Sequence, residues 1–457
     1  MKAGVACFRK IDRRQIVRNS AFMFLRLLLI TVGNLLTVRL VLGALGVESY
    51  GLVAAVGAVS ALLVFLNGVL TSTAQRFLSF EIGRGGTDAL SVAFSSVCWI
   101  SAALCALVLL AGETAGLWFV CEKLSVPEGM RTVAVIVYEA NVLQMVLQTA
   151  RIPFSSLISA TERMGFFVWA SFVDIALTVV IAGTLLLVPA HRPEAYAFLE
   201  VLSSALMLML FVAHGRRLCP ELGRLIRPSV AALRGQCAYF LWSSLHAVVN
   251  ALKYNGVGLL VNLFAGVASN AAWRLGYVYG SHVGSVCHCF QQAYFPQMVK
   301  LWAQEDRRPF RVLALGASRW SFAVTAVFAV PLLVFTKPVL GVLVGGALPP
   351  GTVAFVRCFL LHFLIDSMIE PLHSAALVPG RIAGYEIGQA LTIGSGFVLA
   401  VFAFTCGFPP WTSVGAVALA TALNLVYHFA YLRRMGFGWG ELLLLRASRA
   451  STSASRT

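Results

Sequence analysis

Unbroken apolar runs, each about twenty residues or longer, recur from one end of this chain to the other, and they leave few folds open. In the first half they lie near 20–43, 50–70, 89–112, 132–150, 165–189 and 195–213. The second half repeats the count, near 237–262, 268–297, 318–336, 352–370, 383–405 and 411–431. As a helix, a run of this length covers the ~30 Å hydrocarbon core of a bilayer. Membrane β-strands would alternate apolar and polar residues, and these runs do not. With 59% hydrophobic and only 12% charged residues in 457, the chain has far more apolar surface than a soluble core could bury. The expectation is an all-α integral membrane protein of about twelve spans.

The net charge of +16 would suggest nucleic acid in a soluble protein, so the placement of the 35 Lys and Arg residues decides its meaning. With the N-terminus inside, most fall on cytoplasmic segments: Lys2 to Arg18, Arg76 and Arg84, Arg163, Arg216 to Arg234, Lys300 to Arg319, Arg381, and Arg433 to Arg456. The opposite side receives Lys123, Arg131, Arg192, Lys337 and Arg357. Twelve spans with both termini cytoplasmic satisfy the positive-inside rule at every loop. The basic excess is therefore topological, and no nucleic-acid partner is implied. Leu27 to Val38 behind a basic leader could pass for a signal peptide, but its removal makes the loop charges less consistent, so a retained helix is expected.

The basic, proline-containing stretch within 214–236 divides the spans six and six. The organisation expected is a cytoplasmic N-terminus (1–19), a first lobe (20–213), an inter-lobe linker (214–236), a second lobe (237–432) and a cytoplasmic tail (433–457). A weak internal echo supports related halves: Leu45-Gly46-Val47-Glu48-Ser49-Tyr50 against Ala265-Gly266-Val267-Ala268-Ser269-Asn270. Repeated halves are the usual build of secondary transporters. The ten cysteines are scattered without CxxC pairs, and Cys287-His288-Cys289 points three ways around a helix, so no metal site is expected there.

Ionisable residues inside a span are costly and therefore informative. On the seventh span Tyr239, Ser243, His246, Asn250 and Lys253 are spaced to share one face. On the eighth, Asn270, Arg274, Tyr277, Ser281, Ser285, His288 and Gln292 do the same. Such stripes either line water or bind helices together through hydrogen bonds. Lys253 and Arg274 sit too deep to snorkel easily, which favours a cavity role, with an ion pair to Asp174 or Glu139 as the competing reading. Arg26 shares a face with Gly33 and Thr37, close enough to the cytoplasmic end to snorkel. Arg39 and Arg151 read as interface anchors. On the tenth span His362, Asp366, Glu370 and His373 share a face, a pattern for a proton relay or for pairing with cations rather than for a metal. Asp366 and Glu370, with Asp174 and Glu139, are the candidate ion-coupling acids. The candidate substrate-binding residues are Lys253, Arg274, Arg26, Asn250, His246 and Tyr277. No catalytic constellation and no cofactor are assigned.

Several motifs together resemble a known family: Asn19-Ser20, Leu42 to Gly51 as LGALGVESYG, and Asn67-Gly68 through Gln75-Arg76-Phe77-Leu78-Ser79-Phe80-Glu81. Leu252-Lys253-Tyr254-Asn255-Gly256, Asn262-Leu263-Phe264, Asn270-Ala271-Ala272 with Arg274, and Gln297 continue the likeness in the second half. The chain resembles the polysaccharide-biosynthesis branch of the multidrug/oligosaccharidyl-lipid/polysaccharide (MOP) superfamily, the O-antigen type flippases, over its whole length. That resemblance implies a V-shaped pair of six-helix lobes, like the MATE transporters, that moves an undecaprenyl-pyrophosphate-linked oligosaccharide outward across a bacterial inner membrane. It also implies the lipid-linked glycan as partner, with a glycan polymerase or glycosyltransferases acting beside it. Lys253 and Arg274 would meet the pyrophosphate. Without a GxxxxGK[ST] loop, an ion gradient rather than ATP is the expected energy source. The competing readings are a MATE-like drug or cation antiporter, which would want acids in its cavity, and an integral-membrane glycosyltransferase or polymerase, which would want a long external loop.

Overall fold

A computed structural model of the chain describes residues 13–46, 49–53, 56–57, 64–122, 129–188, 191–223, 226, 230–344 and 349–438. Among these residues the regular structure is all helical, without a strand. Nine helical stretches are long and apolar enough to cross a membrane. The protein is thus a multi-pass membrane protein, and twelve spans remain the expectation for the whole chain. Val64–Arg84 is not among the nine, because Gln75, Arg76 and Glu81 lower its hydropathy.

The chain divides into two compact units, Met1–Leu241 and Trp242–Thr457. In the first, α1 (Arg13–Leu45) is followed by α2 (Val64–Arg84) and α3 (Thr87–Ala111). A π-helical turn, Gly112–Gly116, carries α3 on into α4 (Leu117–Glu122), and α5 (Arg131–Ala160), α6 (Met164–Leu187) and α7 (Arg192–Leu218) follow. α8 (Val230–Ala251) begins in the first unit and ends in the second. α1 is part of this unit's core, since Val41, Ala44 and Leu45 pack on Ile181, Ala182 and Leu185 of α6. Polar side chains tie the other helices together: Gln75 Nε2 donates to Ser159 Oγ at 2.9 Å, and Thr149 Oγ1 to Asn67 Oδ1 at 2.8 Å. Arg76 is buried against aromatic faces, 4.6 Å from the Phe77 centroid and 5.6 Å from that of Tyr239. The Gln75-Arg76-Phe77 motif thus serves packing within this unit.

In the second unit a π turn, Leu252–Gly256, leads from α8 into α9 (Val257–Ala303). Then come α10 (Arg307–Val334), α11 (Thr336–Val344), α12 (Thr352–Leu377), α13 (Ala383–Thr405) and α14 (Thr412–Arg434). α9 is two helices meeting at Gly266, whose φ of 77° and ψ of 177° lie outside the range open to residues with a Cβ. Gly46, its counterpart in the echoed sequence, ends α1 with a φ of 80°. The sequence echo therefore marks one backbone device used twice.

α9 and α12 approach unusually closely through a small-residue stripe, Gly276, Gly280 and Gly284, each set against Phe355, Phe359 or Phe363. A Cβ at Gly280 would stand 2.9 Å from both Phe359 Cβ and Phe363 Cδ2. Helices in lipid gain most of their association from such packing, because lipid removes the hydrophobic driving force. Gly280→Leu is therefore expected to lower stability by about 1–3 kcal/mol, seen as a lower unfolding temperature of the purified protein. Gly394→Ala, where a Cβ meets open space, should leave that temperature near the wild-type value.

Candidate functional site

The polar residues of the second unit gather around α12. Pro371 lies inside α12 directly after Glu370, where its missing N–H leaves one link of the helix ladder unmade. Lys253 is the second residue of the π turn between α8 and α9, a widened turn that places it where a regular helix would not. It is only 6% exposed, its Nζ lies 4.4 Å from the Tyr254 ring centroid, and the charges acting on it are Asp366 and Glu370. Arg274 lies on α9, eight residues past Gly266, on the helix surface and 5.9 Å from the Tyr277 centroid. The Tyr254 and Tyr277 rings are 5.3 Å apart, so an aromatic pair separates the two cations.

The two candidate cations are thus unlike. Lys253 is buried in the field of Asp366 and Glu370, whereas Arg274 is exposed; among the described residues neither cation has a carboxylate within ion-pair distance. Asp174 and Glu139 belong to the first unit, where they have other partners. Asp174, on the surface of α6, lies in the field of Arg151 and then Arg26, and Glu139 lies in the field of Glu113. Arg26 Nε donates to Ser171 Oγ at 3.0 Å, with its guanidinium 5.3 Å from the Phe167 centroid. Arg151 stands 5.0 Å from the Phe211 centroid. The first unit therefore has its own charged cluster, Arg26, Arg151, Asp174 and Glu200, in which Gln144 Nε2 also reaches Glu200 Oε2 at 3.5 Å.

The stripe expected along the seventh span is divided. Tyr239 packs on Phe77 and Arg76 in the first unit, while His246, Asn250 and Lys253 belong to the second. On α9, Ser281 and Ser285 spend their hydroxyls on carbonyls of their own helix, those of Val278 and Ser281. The side chains of Arg39, Cys287, His288 and Cys289 lie outside the described residues. Among the described residues no group of three or more His, Cys, Asp and Glu is arranged to hold a metal ion.

Four histidines of this unit sit in neighbouring hydrogen-bonded groups, and fixed partners set the tautomers of His428, His362 and His246. His428 Nδ1 faces the Asn424 carbonyl at 2.7 Å, and a carbonyl only accepts, so that nitrogen carries the proton. Its Nε2 must then accept from Tyr385 Oη at 2.7 Å; Tyr385 Oη also lies 2.6 Å from His373 Nδ1, which Gln389 Nε2 reaches at 3.3 Å. Thr421 donates to the Val417 carbonyl, so it accepts from His362 Nδ1 at 2.8 Å, and His362 Nε2 accepts from Tyr254 Oη at 3.0 Å. Asn250 Nδ2 donates both to the His246 carbonyl at 3.1 Å and to His246 Nε2 at 2.7 Å. His246 therefore also carries its proton on Nδ1, and its ring stacks on His373 with centroids 4.6 Å apart.

Tyr385, Glu386, Gln389, Thr421, Asn424 and His428 complete this cluster without having been singled out in the sequence, and Tyr254 enters it from the Leu252-Lys253-Tyr254-Asn255-Gly256 motif. Part of it was findable: Thr421, Asn424 and His428 are spaced three and four apart on α14, the helical spacing used for the seventh span. Glu386 was not, because an acid in the first turn of a helix reads as an ordinary dipole partner.

No protein-family model and no curated protein matches the sequence. Solved structures do match in fold. A MATE transporter in the bent conformation superposes with a TM-score of 0.81 at 13% identity, covering 95% of this chain and 98% of that one. The outward-facing conformation of a multidrug resistance MATE family transporter of the MOP superfamily gives 0.78 at 12% identity, with 95% and 98% covered. A MOP superfamily transporter from Pyrococcus furiosus, whose reverse binding-pocket polarity suggests a different function, gives 0.75 at 12% identity, with 96% and 100% covered. The two compact helical units, with a glycine-ended helix echoed in each, are the fold of the MATE transporters of the MOP superfamily.

Proposed function

We propose that this protein is a flippase that carries an undecaprenyl-pyrophosphate-linked oligosaccharide outward across a bacterial inner membrane by ion-coupled alternating access, for surface polysaccharide biosynthesis. Both termini are cytoplasmic in this reading, and the glycan passes to a polymerase or glycosyltransferases. The observation that carries it is Arg274: an exposed guanidinium about 12 Å along the helix from the Gly266 turn, backed by Tyr277 and not committed to an acid among the described residues. Pyrophosphate is the chemistry every such carrier shares, and a planar guanidinium binds its oxygens in pairs. Lys253 adds positive potential behind the aromatic pair, and Asn250, His246 and Tyr277 of the same unit offer polar surface for the sugars.

The test is flipping of a fluorescent undecaprenyl-pyrophosphate oligosaccharide by reconstituted protein. Losing a hydrogen bond to a charged group costs about 1.5–3 kcal/mol, so Arg274→Gln should slow flipping roughly 10- to 100-fold at normal membrane abundance. Arg274→Lys should retain part of the rate. Wild-type flipping by Arg274→Gln would sink the assignment. One observation favours a second reading, an organic-cation antiporter: the buried Lys253 is outnumbered by Asp366 and Glu370. Gradient-driven efflux of an organic cation dye, with no flipping of the glycolipid, would support that reading instead.

A further inference from the structure

Glu386 is fully buried, and neither of its carboxylate oxygens has a hydrogen-bond partner. The Nδ1 of His246 is buried and unpartnered as well, and it lies 3.8 Å from Glu386 Oε2. These two orphans face each other: Asn250 holds His246 Nε2 as an acceptor, so the atom turned toward Glu386 is a donor, Nδ1–H. At 3.8 Å no hydrogen bond is made, although closing the gap by less than 1 Å would make one. A donor and a carboxyl left this close and unbonded fit a carboxyl that already holds a proton, because a neutral acid is a far weaker acceptor than a carboxylate. A buried carboxylate with no donors is too costly to persist, whereas the neutral acid is tolerable.

We propose that Glu386 is a proton-binding site of this protein, with His246 as the positioning residue that receives the carboxylate once the proton leaves. Binding forms one O–H bond on the Glu386 carboxyl, with the proton taken from water and returned to it. In the protonated state α13 and α8 stay apart at this point. In the deprotonated state the carboxylate closes onto His246 Nδ1–H and pulls the start of α13 toward α8. The titratable and charged groups around the pair are His246 from α8, Lys253 from the π turn, and Glu370, Asp366 and His373 from α12. Tyr427, His428, Tyr431 and Arg434 come from α14, with Tyr385 on α13 itself. Lys253 and Asp366 both act on His246, so a change at Glu386 reaches the Lys253 cluster through one ring. A single carboxyl facing an imidazole suits a proton; sodium would need several oxygens around it.

As a coupling site Glu386 rests on the gradient-driven transport proposed above; as a proton site it does not, and the experiment addresses the second alone. Infrared difference spectra of the reconstituted protein, recorded between about pH 5 and pH 9, should show a protonated-carboxyl carbonyl band that is lost on raising the pH. Glu386→Gln, which mimics the protonated acid and so should fold, is expected to abolish that band. Asp366→Asn and Glu370→Gln should retain it. His246→Leu should keep the band but move its midpoint to higher pH by about one unit, because the carboxylate loses its donor. The proposal is overturned if the Glu386→Gln band equals wild type, if His246→Leu leaves the midpoint in place, or if sodium removes the band at constant pH where choline does not.

Discussion

Lys253→Gln is expected to cost about 3–5 kcal/mol of stability, the penalty for leaving a buried charge cluster uncompensated. Lys253 is nearly inaccessible, and the charges that bear on it are Asp366 and Glu370. Those acids are four residues apart on α12, a spacing at which like charges face each other and repel. Removing the ammonium leaves two half-buried carboxylates together with nothing of opposite sign at the π turn. Membrane abundance and unfolding temperature should both fall. Neutralising an acid in the same molecule, as in Lys253→Gln with Glu370→Gln, should recover most of the loss. If Lys253→Gln is as abundant and as heat-resistant as wild type, the acids do not depend on this lysine, and its charge is free for a ligand.

The second large effect expected concerns coupling. Asp366→Asn and Glu370→Gln should each abolish the response of transport to an imposed ion gradient while leaving substrate exchange without a gradient close to wild type. The motive is the charge cluster: two carboxylates whose fields act on one buried cation form a group whose net charge changes when an ion binds, and a membrane converts that change into work. A tenfold acceleration by the gradient corresponds to about 1.4 kcal/mol, well within what one intramembrane charge can deliver. Reconstituted vesicles with and without a pH or sodium gradient separate the outcomes. Retained gradient dependence in both variants would remove these acids from the coupling path.

The helical, membrane-spanning character was legible because unbroken apolar runs have no other use at this length. The sequence echo at Gly46 and Gly266 corresponds to a positive φ that both glycines adopt. The stripe on the tenth span was real as a helical face, and His362 and His373 are both buried members of the polar network. What sequence could not supply was pairing between helices. Lys253 had four acids to choose from, and periodicity places a residue on its own helix without saying which neighbour it meets. Glu386 escaped notice for the same reason, since its burial comes from elements distant in sequence. The stripe Gly276, Gly280 and Gly284 was readable as a small-residue motif, yet only its phenylalanine partners on α12 give it meaning.

The π turn at Leu252–Gly256 makes the span around Lys253 one residue longer than regular winding requires. Deleting any one of those five residues restores α-helical winding and turns everything upstream by about 100° relative to everything downstream. His246 and Asn250 would then swing off the face they share with α12 and α13, although neither was touched. The span is therefore a fixed length of chain with an adjustable phase, and homologues that differ here by a single residue should be aligned by phase rather than by count.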